Sequence, residues 1–281
     1  QGPWGCIPAR QQTGKRIDVS ASEKLQKSIE SAIDACGLQD GMTISFHHHL
    51  RNGDAVMKMV VDAIARKGIR GLRLSASSLS EVQDALLPHL ESGVIVALDT
   101  SGLRGKLGKF VSDGRLPHPV MIRTHGGRAR AIELGELKID VAFIGAPTCD
   151  SYGNINGVDG PAACGSLGYA MIDAACADKV VAVTDNLVRG PLQQISIPQT
   201  QVDFIVQVES IGDPAGISTG SLRISTDPKE LLISEYAARV IEHSGCFRDG
   251  FSLQLGSGGA SLSAARFIRE KMQAKKIAAS F

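Results

Sequence analysis

Residues 40–74 read DGMTISFHHHLRNGDAVMKMVVDAIARKGIRGLRL, and this stretch decides how the rest of the chain is read. Asp40-Gly41 is a turn signal, and the apolar run 42–46 behind it is a strand candidate. Over 54–67, Val56, Met59, Val60, Ala63 and Ile64 recur at the helical period before Gly68 stops the pattern. A second apolar run, 69–74, follows. Strand, helix and strand in this order make a βαβ unit, whose parallel strands are buried on both faces and need not alternate in polarity.

The same alternation continues outward. Helices are expected over 80–92, 128–137 and 228–244, and strands over 94–98, 120–123, 140–144, 180–184 and 202–208. Upstream, Ser20 and Glu23 have capping-box spacing for a helix whose apolar face is Leu25, Ile29, Ala32, Ile33 and Cys36, closed by Gly37. The expectation is an α/β fold with a mostly parallel sheet flanked by helices. From Asp249 the layout of 40–67 repeats, with Asp-Gly, a short strand, a polar loop and an amphipathic helix. The domain reading is an N-terminal arm over 1–20, a first α/β domain over 21–246, and the beginning of a second, incomplete one over 247–281.

Thirty basic and 29 acidic residues leave a net charge of +1, which gives no field for nucleic-acid binding. No apolar run approaches the roughly 18–20 residues of a membrane span, and no leader pattern opens the chain, so a cytoplasmic protein is expected. Six cysteines without a C-x-x-C pair argue for reduced thiols rather than a disulfide framework or thiolate zinc site.

In parallel α/β sheets, ligands bind beyond the carboxyl ends of the strands. The first such loop holds His47, His48, His49 and Arg51 ahead of Asp54. Adjacent side chains on an extended backbone point opposite ways, so only His47 and His49 could share a metal, and no carboxylate is spaced to complete a ligand set. An anion suits histidine donors, a guanidinium and helix N–H groups better. Thr100–Gly105 adds hydroxyls and Arg104, and His125-Gly126-Gly127-Arg128 places a double glycine at a helix start. In the loop 146–157, Asp150, Gly153 and Asn154 serve a turn as readily as a ligand. Gly256-Ser257-Gly258-Gly259 fails the dinucleotide fingerprint because Ser261 stands where glycine is required, but its amides suit an oxyanion.

Taken together, the histidine run, TSGLRG at 100–105, HGGR at 125–128, GELKIDVAFIGAPTCDSYGNING at 135–157, CGSLGYA at 164–170 and GFSLQLGSGGASLSAARF at 250–267 resemble the citrate lyase alpha-chain branch of the coenzyme A transferase superfamily. The resemblance covers 23–281. Loop 150–154 and the glycines 256–259 are shared widely in the superfamily, whereas the histidine run and TSGLRG are particular to this branch. It implies a transferase that exchanges acetyl for citryl on the thiol of an acyl carrier protein, releasing acetate. No cofactor is held tightly, because the carrier brings a coenzyme A-like prosthetic group. Implied partners are citrate, the carrier (gamma) and the citryl lyase (beta) subunit, in a hetero-oligomer.

Under this resemblance, His47, His48, Arg51, Arg104, His125, Gly126, Gly127 and Arg128 bind citrate. Asp150, Gly153, Asn154, Gly256 and Ser257 meet the carrier arm, and the amides of Gly258 and Gly259 stabilise the oxyanion. Other members of the superfamily use a glutamate nucleophile, while this branch transfers directly through an anhydride. The family's two similar domains flank its site, and this sequence stops just inside the second. The competing readings are a non-catalytic assembly subunit and a phosphosugar isomerase or deaminase with Asp150 as base.

Overall fold

The computed structural model describes residues 21–219, 224–256 and 258–280. The arm over 1–20, Ser20 of the expected capping box, and Ser257 lie outside the described residues. The chain divides into two units, one ending at Ile217 and one starting at Ser218.

In the first unit the strands are β1 (Leu25–Gln26), β2 (Thr43–Phe46), β3 (Leu72–Ala76), β4 (Ile95–Thr100), β5 (Met121–Ile122), β6 (Val141–Ala146), β7 (Thr148–Asp150), β8 (Ile155–Asn156), β9 (Lys179–Thr184), β10 (Leu187–Val188) and β11 (Phe204–Gln207). The helices are α1 (Ala21–Lys24), α2 (Ile29–Cys36), α3 (Val56–Arg66), α4 (Leu87–Glu91), α5 (Gly105–Ser112), α6 (His125–Glu133) and α7 (Ala170–Cys176). Eight strands form one sheet in the order β1-β11-β9-β6-β2-β3-β4-β5, with every pairing parallel. Strands β7, β8 and β10 form a small satellite sheet.

Burial on both faces explains the unbroken apolar runs. Along β6, Val141 and Phe143 join the core under α2–α5, while Ala142, Ile144 and Ala146 join the core under α6 and α7. Strand β9 divides the same way, Val181 and Val183 against Val180 and Ala182. From β2 the sheet grows through β3 and β4 to β5, and β6 then returns to the other side of β2. The order therefore reverses between β2 and β6, where the Phe46 and Phe143 rings stack at 5.6 Å.

Three expected elements differ. The expected first helix is broken in two, α1 ending at Lys24 and α2 starting at Ile29 with Ser28 and Ser31 as reciprocal caps, because Leu25 and Gln26 pair with Ile205 and Val206 at the sheet edge instead. Backbone pairing with an open edge overrides the local period. Over 80–92 a 3-10 turn, Glu81–Leu86, precedes the short α4, because Pro88 has no N–H to continue the ladder. Helix α6 begins at His125 rather than 128, with Thr124 as its N-cap.

The domain boundary also moves, from 246 to 217. The second unit contains α8 (Pro228–His243), β12 (Phe251–Ser252), α9 (Gly259–Lys275) and β13 (Ala279–Ser280). Helix α8 belongs here because Ala238 is buried with Ala264 and Ile268 of α9, and Ser234 Oγ donates to the Ala260 carbonyl at 2.7 Å. The repeat seen in sequence recurs in hydrogen bonds. Asp40 accepts the Arg70 N–H and Gly41 donates to the Arg70 carbonyl, just as Asp249 accepts the Ala278 N–H and Gly250 donates to the Ala278 carbonyl. Both βαβ units pair their strands in parallel. No helix among the described residues is long and apolar enough to cross a membrane.

The loop after β2 is clamped from behind. Gly53 O accepts the Asp213 N–H at 2.9 Å, and a Cβ on Gly53 would lie 2.3 Å from Asp213 O and 2.9 Å from Ile217 N. Backbone on both sides cannot yield, so Gly53→Ala is expected to cost at least roughly 1–3 kcal/mol, the range of ordinary overpacking. A lower urea midpoint at unchanged m-value checks this; an unchanged midpoint would mean that the clamp gives way freely.

Candidate active site

Open α/β sheets bind ligands where the strand order reverses, which here is the crevice beyond the ends of β2 and β6. The extended backbone leaving β2 turns alternate rings to opposite sides. His47 and His49 stack at 5.9 Å, and His49 Nε2 donates to the Gly145 carbonyl at 2.7 Å, tying β2 to β6 across the crevice. His48 turns away onto Ser77, just past β3, with Nδ1 2.6 Å from Ser77 Oγ. It stacks on His125 at 5.4 Å, and Tyr169 completes the cluster at 5.0 Å from His125 and 6.0 Å from His48.

Beneath these rings is a buried charge network. Arg128 Nη1 and Nη2 donate to the two carboxylate oxygens of Asp173 on α7 at 2.9 and 2.7 Å, and Nε donates to Ser75 Oγ on β3 at 3.2 Å. His47 Nε2 stands 3.0 Å from Asp173 Oδ2. Ser75, Arg128 and Asp173 are fully buried and His47 nearly so. Burial alone would raise the Asp173 carboxyl, but the facing His47 ring and Arg128 guanidinium outweigh it and hold the group well below the usual carboxylate range. Burial, reinforced by His125, His47, Arg51 and Arg128, pushes His48 down to about 4. Burial and His47 push His49 down to about 3. Burial also raises Asp54 to about 6, against the bonds it accepts from Val56 N and Gln83 Nε2.

At the mouth, Arg51 adopts a left-handed φ of 52°, rare for a residue with a side chain. Exposed Arg104 lines an open hollow of about 550 Å³ with Asn52, Ser80, Glu81 and Val82. His125 and Gly126 are exposed at the start of α6.

Several expected contacts are corrected. Arg128 is no free cation for an anion, because its guanidinium is spent on Asp173 and Ser75. His47 is sealed in with it. Gly127 donates its N–H to Thr124 Oγ1 at 2.9 Å, so that amide is taken. Asp150 is fully buried and accepts from Tyr152, Gly153, Asn154 and Leu192 N–H groups and from Asn154 Nδ2. Asn154 Oδ1 in turn accepts the Gln199 N–H, and Gly153 is buried at a φ of 101°. Asp150, Gly153 and Asn154 therefore brace a loop rather than present a surface to a carrier arm, and Asp150 is too enclosed to serve as a base on a sugar. Gly256, Gly258 and Gly259 lie in the second unit, the last two opening α9, where the first N–H groups lack intrahelical acceptors. Of the expected anion contacts, Arg104, His125 and Gly126 are exposed, and Arg51 and His48 are half-buried.

Sequence reading missed Ser75, Ser77, Tyr169 and Asp173. Asp173 carried a faint signal as the one charged residue in AMIDAAC, residues 170–176. It also missed Lys24, buried, whose Nζ donates to the Tyr152 and Gln199 carbonyls. Among the described residues, no three His, Cys, Asp or Glu side chains are grouped to hold a metal ion.

Two consequences can be measured. Asp173→Ala strands a buried guanidinium and is expected to cost roughly 3–5 kcal/mol in chemical unfolding; a loss under 1 kcal/mol would mean that water reaches Arg128. Stability also depends on pH through groups whose pKa differs between the folded and unfolded chain. Below the ordinary 6.5, unfolding lets His48 and His49 take up protons that they refuse when folded, so stability falls from pH 6.5 toward 4. Asp54 acts oppositely between about pH 6 and 3.8, binding a proton only when folded. Two histidines against one aspartate leave a net loss on acidification, which Asp54→Asn should steepen. A flat profile over this window would contradict the assignment.

The family model described as citrate lyase, alpha subunit (CitF), matches residues 22–281. The citrate lyase alpha chain of Klebsiella pneumoniae is 52% identical over 266 residues, spanning 93% of this chain and 52% of its own length. A Streptococcus mutans protein described as the alpha subunit of citrate lyase, solved in complex with citrate, superposes with a TM-score of 0.90 at 52% identity, over 98% of this chain and 54% of that one. An acyl-CoA transferase of Escherichia coli O157:H7 shares the fold alone, with a TM-score of 0.60 at 13% identity over 95% of this chain and 61% of that one. The chain spans about half the length of the curated relatives it matches. A family model matched over nearly the whole sequence, half of its residues shared with named members, and a parallel sheet of the same design together place this chain in the citrate lyase alpha-subunit family.

Proposed function

We propose that this chain forms the citrate-binding part of a transferase that moves an acyl-carrier thiol from acetyl to citrate. The observation that supports this most is the cluster at the reversal point. His48, on the same loop as Arg51, stacks on His125 beside Tyr169, and exposed Arg104 lines the hollow that Asn52 of that loop borders, in a chain half identical to a protein solved with citrate. Guanidinium groups match carboxylates geometrically and cannot lose their charge, so Arg51 and Arg104 offset the tricarboxylate. Gly126 and the His125 ring supply further polar contacts at the start of α6.

In the reaction, one carboxylate oxygen of citrate attacks the carbonyl carbon of the acetyl thioester, and the carrier thiolate leaves. The thiolate then attacks the citryl carbonyl of the mixed anhydride and acetate departs, so atoms and charge balance. Each attack builds an oxyanion, for which the amides of Gly258 and Gly259 are the candidate donors. The coenzyme A-like arm of the carrier supplies the thiol. The citryl carrier then passes to the beta subunit for cleavage, in a cytoplasmic hetero-oligomer with the gamma carrier chain.

Citrate-dependent release of acetate from an acetylated carrier tests this in the full-length protein. Arg51→Ala and Arg104→Ala should each raise the KM for citrate by roughly tenfold or more, the value of one charged hydrogen bond, with carrier affinity nearly unchanged. Equal loss of both affinities would put the tricarboxylate elsewhere, and no citrate-dependent acetate would end the transferase reading.

A further inference from the structure

We propose that Ser77 fixes His48 as the neutral tautomer with its proton on Nε2, so that the ring offers a hydrogen-bond donor, and not a cation or a base, to a carboxylate oxygen of citrate. This rests on the reading of the crevice as the citrate site.

The tautomer is set by where one hydroxyl hydrogen can go. Ser77 is 1% exposed, and among the described residues its Oγ has two partners, both on His48. The His48 backbone N–H donates to Oγ at 3.1 Å. The hydroxyl hydrogen still needs an acceptor, and the one within reach is His48 Nδ1 at 2.6 Å. A proton on Nδ1 instead would aim two donors at one oxygen and leave the buried hydroxyl hydrogen facing nothing. Nδ1 is therefore bare, and in a neutral imidazole the proton sits on Nε2, which has no partner among the described residues.

The surroundings keep the ring neutral. His47 and Arg51 on its own loop and His125 and Arg128 on α6 all oppose a further positive charge, and burial adds to them. Tyr169 packs against it from the head of α7 as a ring contact. Asp173 on α7 is already matched by Arg128, with His47 3.0 Å from its carboxylate. A neutral imidazole N–H can polarise an oxygen without giving up its proton, which suits a site where citrate must stay ionised to attack. Ser77 is thus a positioning residue that acts through His48.

Magic-angle-spinning ¹⁵N spectra of histidine-labelled full-length protein, with His48 assigned by difference from His48→Gln, read the tautomer directly. The expected result at pH 7 is a protonated Nε2 and a bare Nδ1, unchanged at pH 5, with Nε2 shifting when citrate is added. Ser77→Ala should turn His48 into a tautomer mixture and weaken citrate binding by roughly tenfold, and Ser77→Thr, which keeps the hydroxyl, should restore both. Binding lost with the tautomer unchanged would reduce Ser77 to a packing role and overturn the proposal. A protonated Nδ1 or an imidazolium at pH 7 would overturn it too, as would an Nε2 signal indifferent to citrate that calorimetry shows to be bound. Absence of any citrate binding would instead overturn the reading of the site, while the same spectra still decide the tautomer.

Discussion

One buried carboxylate governs the arrangement of the site. Asp173 lies on α7, receives both outer nitrogens of Arg128 from α6, and faces His47 from the loop after β2, while Arg128 also reaches Ser75 on β3. Four elements thus meet at one ion cluster sealed from water. Removing such charges from water is costly, and the cost is recovered only if every partner keeps its place. The loop carrying the three histidines inherits that rigidity. Its neighbour, His49, is fixed separately by the Gly145 carbonyl across the reversal point.

Division of labour among like residues is the main consequence. Of the three adjacent histidines, His47 belongs to the ion cluster, His49 braces β2 against β6, and His48 joins His125 and Tyr169 in the ring cluster. Of the three arginines expected to meet an anion, Arg128 is structural, Arg51 sits on the histidine loop, and exposed Arg104 lines the hollow that Asn52 of that loop borders. The same economy recurs at Asp150, which gathers backbone N–H groups from its own loop and from Leu192 so that the satellite sheet holds its shape. A buried carboxylate that collects donors is a way to order irregular backbone that no ladder supports.

The βαβ pattern of 40–74 and the parallel sheet were legible in sequence because strands buried on both faces and helices buried on one leave distinct periods. The repeat beginning at Asp249 was legible for the same reason, and its turn rebuilds the hydrogen bonds of Asp40. The boundary at 217 was not, because α8 pairs with a helix that comes after it in the chain. Nor was β1 visible, since Leu25 and Gln26 fit a helical face until a strand edge from residues 204–207 is set beside them.

The sequence by itself determined the layers of the fold, the loops in which polar chemistry gathers, and the family to which those motifs point. Only the tertiary structure decided which of the polar residues are spent inside. Whether a guanidinium such as Arg128 is free or committed depends on a carboxylate 45 positions along the chain that packing brings to within 2.7 Å. Local periodicity records which side of an element is buried, but not which charge from another element it will meet there.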